Sequence, residues 1–372
     1  MQIDQHGFRK KNNLMVETIF AKAQVHYLED LPFVLYKKPN EIFLNAFFQT
    51  DDDIYCTDDF SENGFVFCEF ISKKKIIFNF DKSRFFSEKY KISAPEQLLF
   101  EEPIINELDK IRHLNLVQKG IDSITNGDFS KVVLSRKEIV AIDNFNILES
   151  FKKLLNQNEN AFSYVWYHPK IGMWMGAFGE QLLKVEENNL STMSLAGTQK
   201  IENLQDINWS AKEIDEQNIV TEYIIQTIEL ETTKIELSEI QTIYARNVAH
   251  LKTNISAALK PDFSLKNIVN KLHPTPAVCG FPKDNAKKFI LENENYDREF
   301  YAGFLGELNF YKNNSCYSNL FVNLRCMKIS ENYVTIYVGG GITKDSIPEQ
   351  EWQETVNKSV AMKQILNQNN TI

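Results

Sequence analysis

Lys131 and Glu180 are side chains of the types that can exchange protons with a small molecule. Lys131 sits in Phe129-Ser130-Lys131-Val132-Val133-Leu134-Ser135-Arg136, which alternates like a strand. There it shares a face with Val133 and Ser135. A lysine serves as a base only if burial or neighbouring cations lower its pKa toward neutrality. The plainer reading is a charge at a strand edge or end. Glu180 follows Met175-Gly176-Ala177-Phe178-Gly179. Two glycines there let the backbone turn closely. A carboxyl so placed could act as an acid, and the plainer reading is a surface glutamate opening a strand.

Glu213 and Glu216 lie three apart on one predicted helix, and Glu351 and Glu354 repeat that spacing on the last one. Carboxylates so spaced project from one face. Lys358 is four residues beyond Glu354, near the same face. Each pair alone is usually solvated, but two pairs from distant helices could converge on one hard cation. Mg2+ takes one or two carboxylates, keeps waters and borrows oxygen from substrate. Gly339-Gly340-Gly341 after the strand Val334–Val338 would let backbone N–H groups approach an anion, although a flexible turn is the commoner meaning. Arg325, in an alternating segment, is either an edge charge or a two-pronged contact for a carboxylate. His273, before Pro274, is more often structural than catalytic. The other histidines show no metal-ligand spacing.

The elements that must position these groups are strands near 130–140, 162–168, 171–177, 181–186, 191–196, 303–311, 319–327 and 333–338. Helices are predicted from about Ile104 to Asn126, from Ser210, over Asp284–Asn293 and from Ser346 past Lys358. Ser210-Ala211-Lys212-Glu213 and Ser346-Ile347-Pro348-Glu349 are capping boxes. Runs of strands separated by helices predict an α+β fold with large, mostly antiparallel sheets. Residues 1 to about 105 contain short strands but no recognisable chemistry.

The 372 residues suit one large domain or two ordinary ones, and 27 Phe and 14 Tyr suit a broad interior. The net charge of −9 argues against nucleic acid or an anionic membrane as the main partner. An anionic substrate would therefore need a locally positive site or a metal. Five widely spaced cysteines without a C-x-x-C pair predict reduced thiols and a cytoplasmic location. No apolar leader or membrane-spanning run is expected. Nor does any heptad or long apolar helix call for an oligomer, so a monomer is expected.

Taken in order, Lys131, Glu180, Leu272-His273-Pro274-Thr275-Pro276-Ala277-Val278-Cys279-Gly280, Arg298 with Tyr301-Ala302-Gly303, Gly339-Gly340-Gly341 and Glu351-Trp352-Gln353-Glu354 resemble the chorismate-utilising enzymes, most closely the isochorismate synthases. The resemblance spans about residues 110–360. It implies one chorismate-binding domain over 1–372, with two large sheets flanked by helices, a variable N-terminal part over 1–105 and the catalytic core over 110–360. It implies Mg2+ on Glu216 and Glu354, with Glu213 and Glu351 beside them. Lys131 would be the base that activates water for attack at C2, and Glu180 the acid that protonates the departing C4 hydroxyl. Ala196, Gly197, Thr198, His273, Arg325, Tyr337, the three glycines and Lys358 would bind substrate.

Family members that make aminodeoxychorismate often carry a nucleophilic lysine at the Ala196 position. Alanine there favours direct attack by water or ammonia. Two positions depart from the family pattern: Phe178-Gly179 stands for Ser-Pro before the glutamate, and Gln217 for a histidine. An ammonia-using anthranilate or aminodeoxychorismate synthase subunit, a salicylate synthase and a catalytically degenerate chorismate-binding protein remain alternatives. Menaquinone and siderophore pathways both begin at isochorismate, and a short chain without a fused second module favours menaquinone.

Overall fold

Alternating segments become strands and 3.6-periodic segments become helices in a computed structural model that describes residues 18–93, 106–143, 145–200, 207–245, 248–312 and 314–366. The chain begins with α1 (Ile19–Leu28), β1 (Phe33–Lys37), β2 (Phe43–Gln49), β3 (Gly64–Cys68), β4 (Lys75–Asn79), β5 (Ser83–Lys89), α2 (Glu107–Thr125) and β6 (Lys131–Ala141). It continues through α3 (Ile147–Gln157), β7 (Phe162–His168), β8 (Gly172–Phe178), β9 (Gln181–Glu186), β10 (Asn189–Lys200) and α4 (Ala211–Ile228). Then come β11 (Thr232–Leu237), β12 (Gln241–Ala245), β13 (Val248–Leu259), α5 (Leu265–Leu272), β14 (Gly280–Phe281) and α6 (Lys283–Asn293). Last are β15 (Phe304–Lys312), β16 (Ser315–Val322), β17 (Cys326–Ile329), β18 (Tyr333–Ile342) and α7 (Pro348–Leu366).

The strands form two sheets. The first has the order β14-β6-β18-β17-β8-β7-β1-β2-β5, and the second runs β11-β13-β10-β9-β16-β15-β3-β4, with β12 also on β13. Every pairing is antiparallel. The α+β architecture with large antiparallel sheets is therefore as expected. The early strands extend both sheets, β1, β2 and β5 the first, β3 and β4 the second.

Aromatic residues hold the sheets together. Phe78 stacks on Trp166 at 5.4 Å, and Phe67 on Phe300 at 4.2 Å. Such rings bury large apolar areas and add specific ring–ring contacts. A second apolar cluster lies on the other face of the first sheet, where Val165, Met175, Met327 and Ile336 meet Phe151 of α3 and Ile365 of α7. No described helix is long and apolar enough to cross a membrane.

Two expectations need correction. The segment 319–327 is not one strand: β16 ends at Val322 in the second sheet and β17 starts at Cys326 in the first, so Arg325 lies on the crossover. Nor do the three glycines follow their strand. They lie inside β18, opposite Ser135, Leu134 and Val133 of β6. The α2 helix begins at Glu107, after the cap Asn106, and Ile104 falls outside the described residues.

Candidate active site

The site starts from the β6–β18 pair. Lys131 opens β6 and is only 5% exposed. Its side chain lies across Gly341, where a Cβ would stand 3.1 Å from Lys131 Cε and 3.6 Å from Nζ. At Gly340 a Cβ would stand 3.2 Å from Glu351 Oε2 and 3.6 Å from Glu354 Oε1. At Gly339 it would press on the Leu134 carbonyl at 2.7 Å and the Tyr301 hydroxyl at 2.9 Å. Each glycine thus clears room for a different neighbour, and only as glycines can all three admit the base, the acidic pair and the tyrosine. β17 pairs with β18 only as far as Tyr337, so on that side the glycines have no strand neighbour among the described residues.

Two crossovers between the sheets form another wall. Glu180 stands between β8 and β9, and Arg325 between β16 and β17. Arg325 has φ 44°, the left-handed region that non-glycine residues seldom adopt. The neighbouring Asn323 fixes this turn. Its amide donates to the Phe300 carbonyl at 2.8 Å, and its side-chain oxygen accepts from Tyr164 at 2.8 Å. Gly176 is required by close approach, since a Cβ would lie 2.9 Å from Cys326 Cβ and 3.2 Å from the Arg325 carbonyl. Gly179 has open space around it, so the sequence-based reason for a glycine there does not hold.

Carboxylates enter from two helices. Glu213 and Glu216 line the cavity from the start of α4, and Glu351 and Glu354 from the start of α7. Glu213 is also engaged in capping α4, accepting from the Ser210 backbone N–H at 2.9 Å. Glu351 accepts from the Ser346 hydroxyl at 2.7 Å. Lys358 ties α7 to the glycine strand, donating to Glu354 at 2.5 Å and to the Gly339 carbonyl at 2.9 Å. Ala196 and Gly197, at a bulge in β10, complete this side.

Together these groups line one cavity of about 350 Å3. Its cations are Lys131, Lys252, Arg325 and Lys358, facing Glu180, Glu213, Glu216, Glu351 and Glu354. Burial drives the Lys131 amine below its usual range, although Glu216, Glu180 and Glu354 pull it back up. Burial pushes the Glu180 carboxyl up to about 7, against the pull of Lys131. Desolvation thus favours a neutral amine and a neutral acid in one cavity, as a base and an acid require. Burial would raise Glu354 too, but the Lys358 ammonium outweighs it and holds Glu354 below the usual carboxylate range.

Not every sequence-predicted residue arrives. His273 is not among the cavity-lining residues; it is 3% exposed, with Nε2 3.0 Å from the Phe70 carbonyl. Burial lowers its pKa to about 3, so it stays neutral and structural. Tyr337 reaches the cavity wall but is packed between Trp174 and Tyr301, with its hydroxyl donating to Glu299 at 3.4 Å. Thr198 has its backbone on β10, and its side chain lies outside the described residues. Gln217 is buried beside the site, not in it, with Nε2 within 3.0 Å of the hydroxyls of Ser194, Thr221 and Thr253.

Sequence reasoning missed His250 and Lys252, both on β13 and both lining the cavity. The signal was available: apolar Ala249, Leu251, Ile255 and Ala257 alternate with polar His250, Lys252, Asn254 and Ser256, the period of a strand. His250 Nδ1 lies 3.2 Å from the Gly197 carbonyl. Burial, with Lys358 and Arg325 nearby, lowers its pKa to about 4.

Comparison with known proteins gives the family and the fold. The family model described as chorismate binding enzyme matches residues 69–367, so the match begins within the N-terminal part that carries no recognisable motif. The chain is 31% identical over 271 residues to the isochorismate synthase MenF of Escherichia coli, covering 69% of this chain and 61% of that protein. To MenF of Haemophilus influenzae it is 29% identical over 258 residues, covering 66% and 58%. The chain therefore spans about three fifths of the length of these relatives. The solved structure of Escherichia coli MenF, titled the menaquinone-specific isochorismate synthase, superposes with a TM-score of 0.74 at 22% identity, covering 90% of this chain and 89% of that one. That likeness establishes a shared fold.

Proposed function

The chain belongs to the chorismate-binding enzyme family, and from that premise we propose that it is an isochorismate synthase. The observation that carries the reading is Lys131 and Glu180 on one cavity, each shifted by burial toward its uncharged form. Lys131 takes a proton from water as the oxygen bonds to ring carbon C2. The double bonds shift, and the C4 hydroxyl leaves with the proton of Glu180. Base and acid work at separate ring positions, so they must stand on different elements; here they come from β6 and the β8–β9 crossover. Each contributes about 10²–10⁴-fold, the usual range for positioned proton transfer. Arg325, Lys358 and Lys252 supply positive charge for the substrate's carboxylates. Ala196 offers no nucleophile, which favours direct addition over a covalent intermediate.

Mg2+ fits the donor set. Among the described residues no three potential ligands form a ready-made cage. Glu351 and Glu354 nonetheless meet over Gly340, and Glu216 faces the same cavity. Such a set suits an ion that takes few carboxylates and fills its shell with water and substrate oxygen. Glu216 and Glu354 would hold it with Glu351 in support, while Glu213 is committed to its cap. Bound there, the ion would supply positive charge for a substrate carboxylate in a cavity otherwise rich in glutamate.

Incubating the protein with chorismate and Mg2+, with and without ammonia, tests the reading by product. Isochorismate in both arms is the expected result. Anthranilate or aminodeoxychorismate in the ammonia arm, salicylate, or binding without turnover would each replace it with one of the alternatives. Menaquinone synthesis is the proposed destination of the product.

A further inference from the structure

We propose that the buried pair Glu294–Arg298 is a positioning device that holds β6 in place for Lys131; the proposal rests on reading Lys131 as the base. It starts from an incomplete sheet edge. Along one side β6 is paired with β18 from Val132 to Ala141. Along the other it meets only the stub β14, through Lys131 and Val132. The Val133 N–H still finds the Cys279 carbonyl at 2.8 Å, and beyond that no strand among the described residues continues the ladder.

Glu294 and Arg298 continue it with side chains. Arg298 Nη2 donates to the Val133 carbonyl at 2.7 Å, and the Ser135 N–H donates to Glu294 Oε1 at 2.7 Å. The Ser135 hydroxyl donates to the same oxygen at 2.9 Å. Arg298 grips both Glu294 oxygens, Nε to Oε2 at 2.8 Å and Nη2 to Oε1 at 2.5 Å. Its Nη1 donates to the Val278 carbonyl at 3.0 Å, and the guanidinium lies over the Phe70 ring at 4.5 Å. The two side chains are nearly inaccessible, at 2% and 1%.

The position of the pair ties this arrangement to the site. Val133 and Val278, whose carbonyls it holds, both line the cavity with Lys131. Lys131 is two residues from Val133 on the same strand face. A planar guanidinium can satisfy a carboxylate and two carbonyls at fixed angles, which an ammonium cannot reproduce. An apolar pair of equal volume would fill the space and leave the β6 edge unbonded.

Arg298→Lys in the full chain is the test. The expected result is a kcat lower by about 10–100-fold, the penalty of misplacing a catalytic group by a fraction of an ångström to an ångström. KM and the calorimetric affinity for chorismate should stay within about threefold, since Arg298 itself does not line the cavity. A merely structural pair would lower thermal stability and leave kcat per binding-competent molecule at the wild-type value, and that result overturns the proposal. If Arg298→Lys does not fold, Glu294→Gln decides by the same split. If the wild type converts no chorismate, the reading of Lys131 fails, and amide exchange tests the clamp alone. Exchange in the peptide 131–136 should then accelerate in the variant while 162–178 stays unchanged; equal exchange in 131–136 refutes the clamp.

Discussion

Glu180 and Arg325 stand on adjacent crossovers that carry the chain between the two sheets in opposite directions. The crossovers are bonded reciprocally. The Val322 N–H donates to the Glu180 carbonyl at 2.9 Å, and the Ala177 N–H donates to the Arg325 carbonyl at 3.3 Å. Each residue is thereby fixed by the strand that leads into the other's turn. The proposed acid and a cation suited to a substrate carboxylate are thus tied to each other through the backbone. A ligand held by Arg325 is held in register with Glu180.

The first prediction concerns the acid. Glu180→Gln keeps the side-chain volume and removes the proton. We expect kcat to fall by about 10²-fold or more, with a smaller change in KM, as for a group acting mainly in the transition state. Steady-state kinetics on the folded variant checks this, and full kcat would mean another group protonates the departing hydroxyl.

A pH profile tests both shifts at once. Lys131 works as a neutral amine, so kcat/KM should rise as pH climbs through its lowered pKa. Glu180 works protonated, so kcat/KM should fall as pH passes about 7. Stability carries the same sign for the acid. Its folded pKa lies above the unfolded value, so the folded state holds the proton more tightly and stability declines from the unfolded pKa up to about 7. Melting curves of wild type and Glu180→Gln should therefore diverge as pH rises from the unfolded carboxyl value to about 7, the variant losing less; parallel curves would show an unshifted carboxyl.

Lys131→Ala should abolish isochorismate formation while chorismate still binds. The amine lies across Gly341 and, among the described residues, holds no strand in place by a hydrogen bond, so the loss should be chemical and not architectural. Calorimetric binding with no product is the expected pattern, and near-normal turnover would remove Lys131 from the mechanism.

Metal removal is the next test. EDTA should silence the enzyme and Mg2+ restore it. Glu354→Gln should raise the Mg2+ concentration needed for half-maximal rate, because it removes a ligand charge and frees Lys358 from its ion pair. An unchanged Mg2+ requirement would exclude Glu354 as a ligand.

How far the site could be read from the sequence follows from how local each signal is. The capping box at Ser210 and the helix it starts depend on residues three apart, and both appear as predicted. The long strand β6 depends on alternation and also appears. For Arg325 the alternation runs on through Val322-Asn323-Leu324 while the chain there changes sheets, and nothing local encodes that change. The β13 strand carries a regular alternation but no motif that links it to the site. His273 lies in a strongly marked motif, yet the marking reflects packing against Phe70 and Phe304. The buried environment that shifts Lys131 and Glu180 is assembled from β6, α4, α7 and both crossovers, and no window of sequence contains it.

The glycine strand gives the sharpest separation of activity from stability. At Gly341 a new Cβ would meet the far end of a flexible side chain, Lys131 Cε at 3.1 Å. The lysine can swing aside with little effect on the fold, but the amine then leaves its position. Gly341→Ala should lower kcat by about 10²-fold, the scale expected for a displaced catalytic group, while thermal stability stays near wild type. At Gly339 the obstacle is backbone, the Leu134 carbonyl at 2.7 Å, with the Tyr301 hydroxyl at 2.9 Å on another side. Neither can yield without parting β18 from β6 or breaking the stack of Tyr301 on Tyr337. Gly339→Ala should therefore destabilise the protein by about 1–3 kcal/mol, the usual cost of overpacking. Thermal melts and steady-state kinetics on the two variants check the contrast. A Gly341→Ala enzyme with full kcat would show that the Lys131 amine does not need to lie against this strand to work.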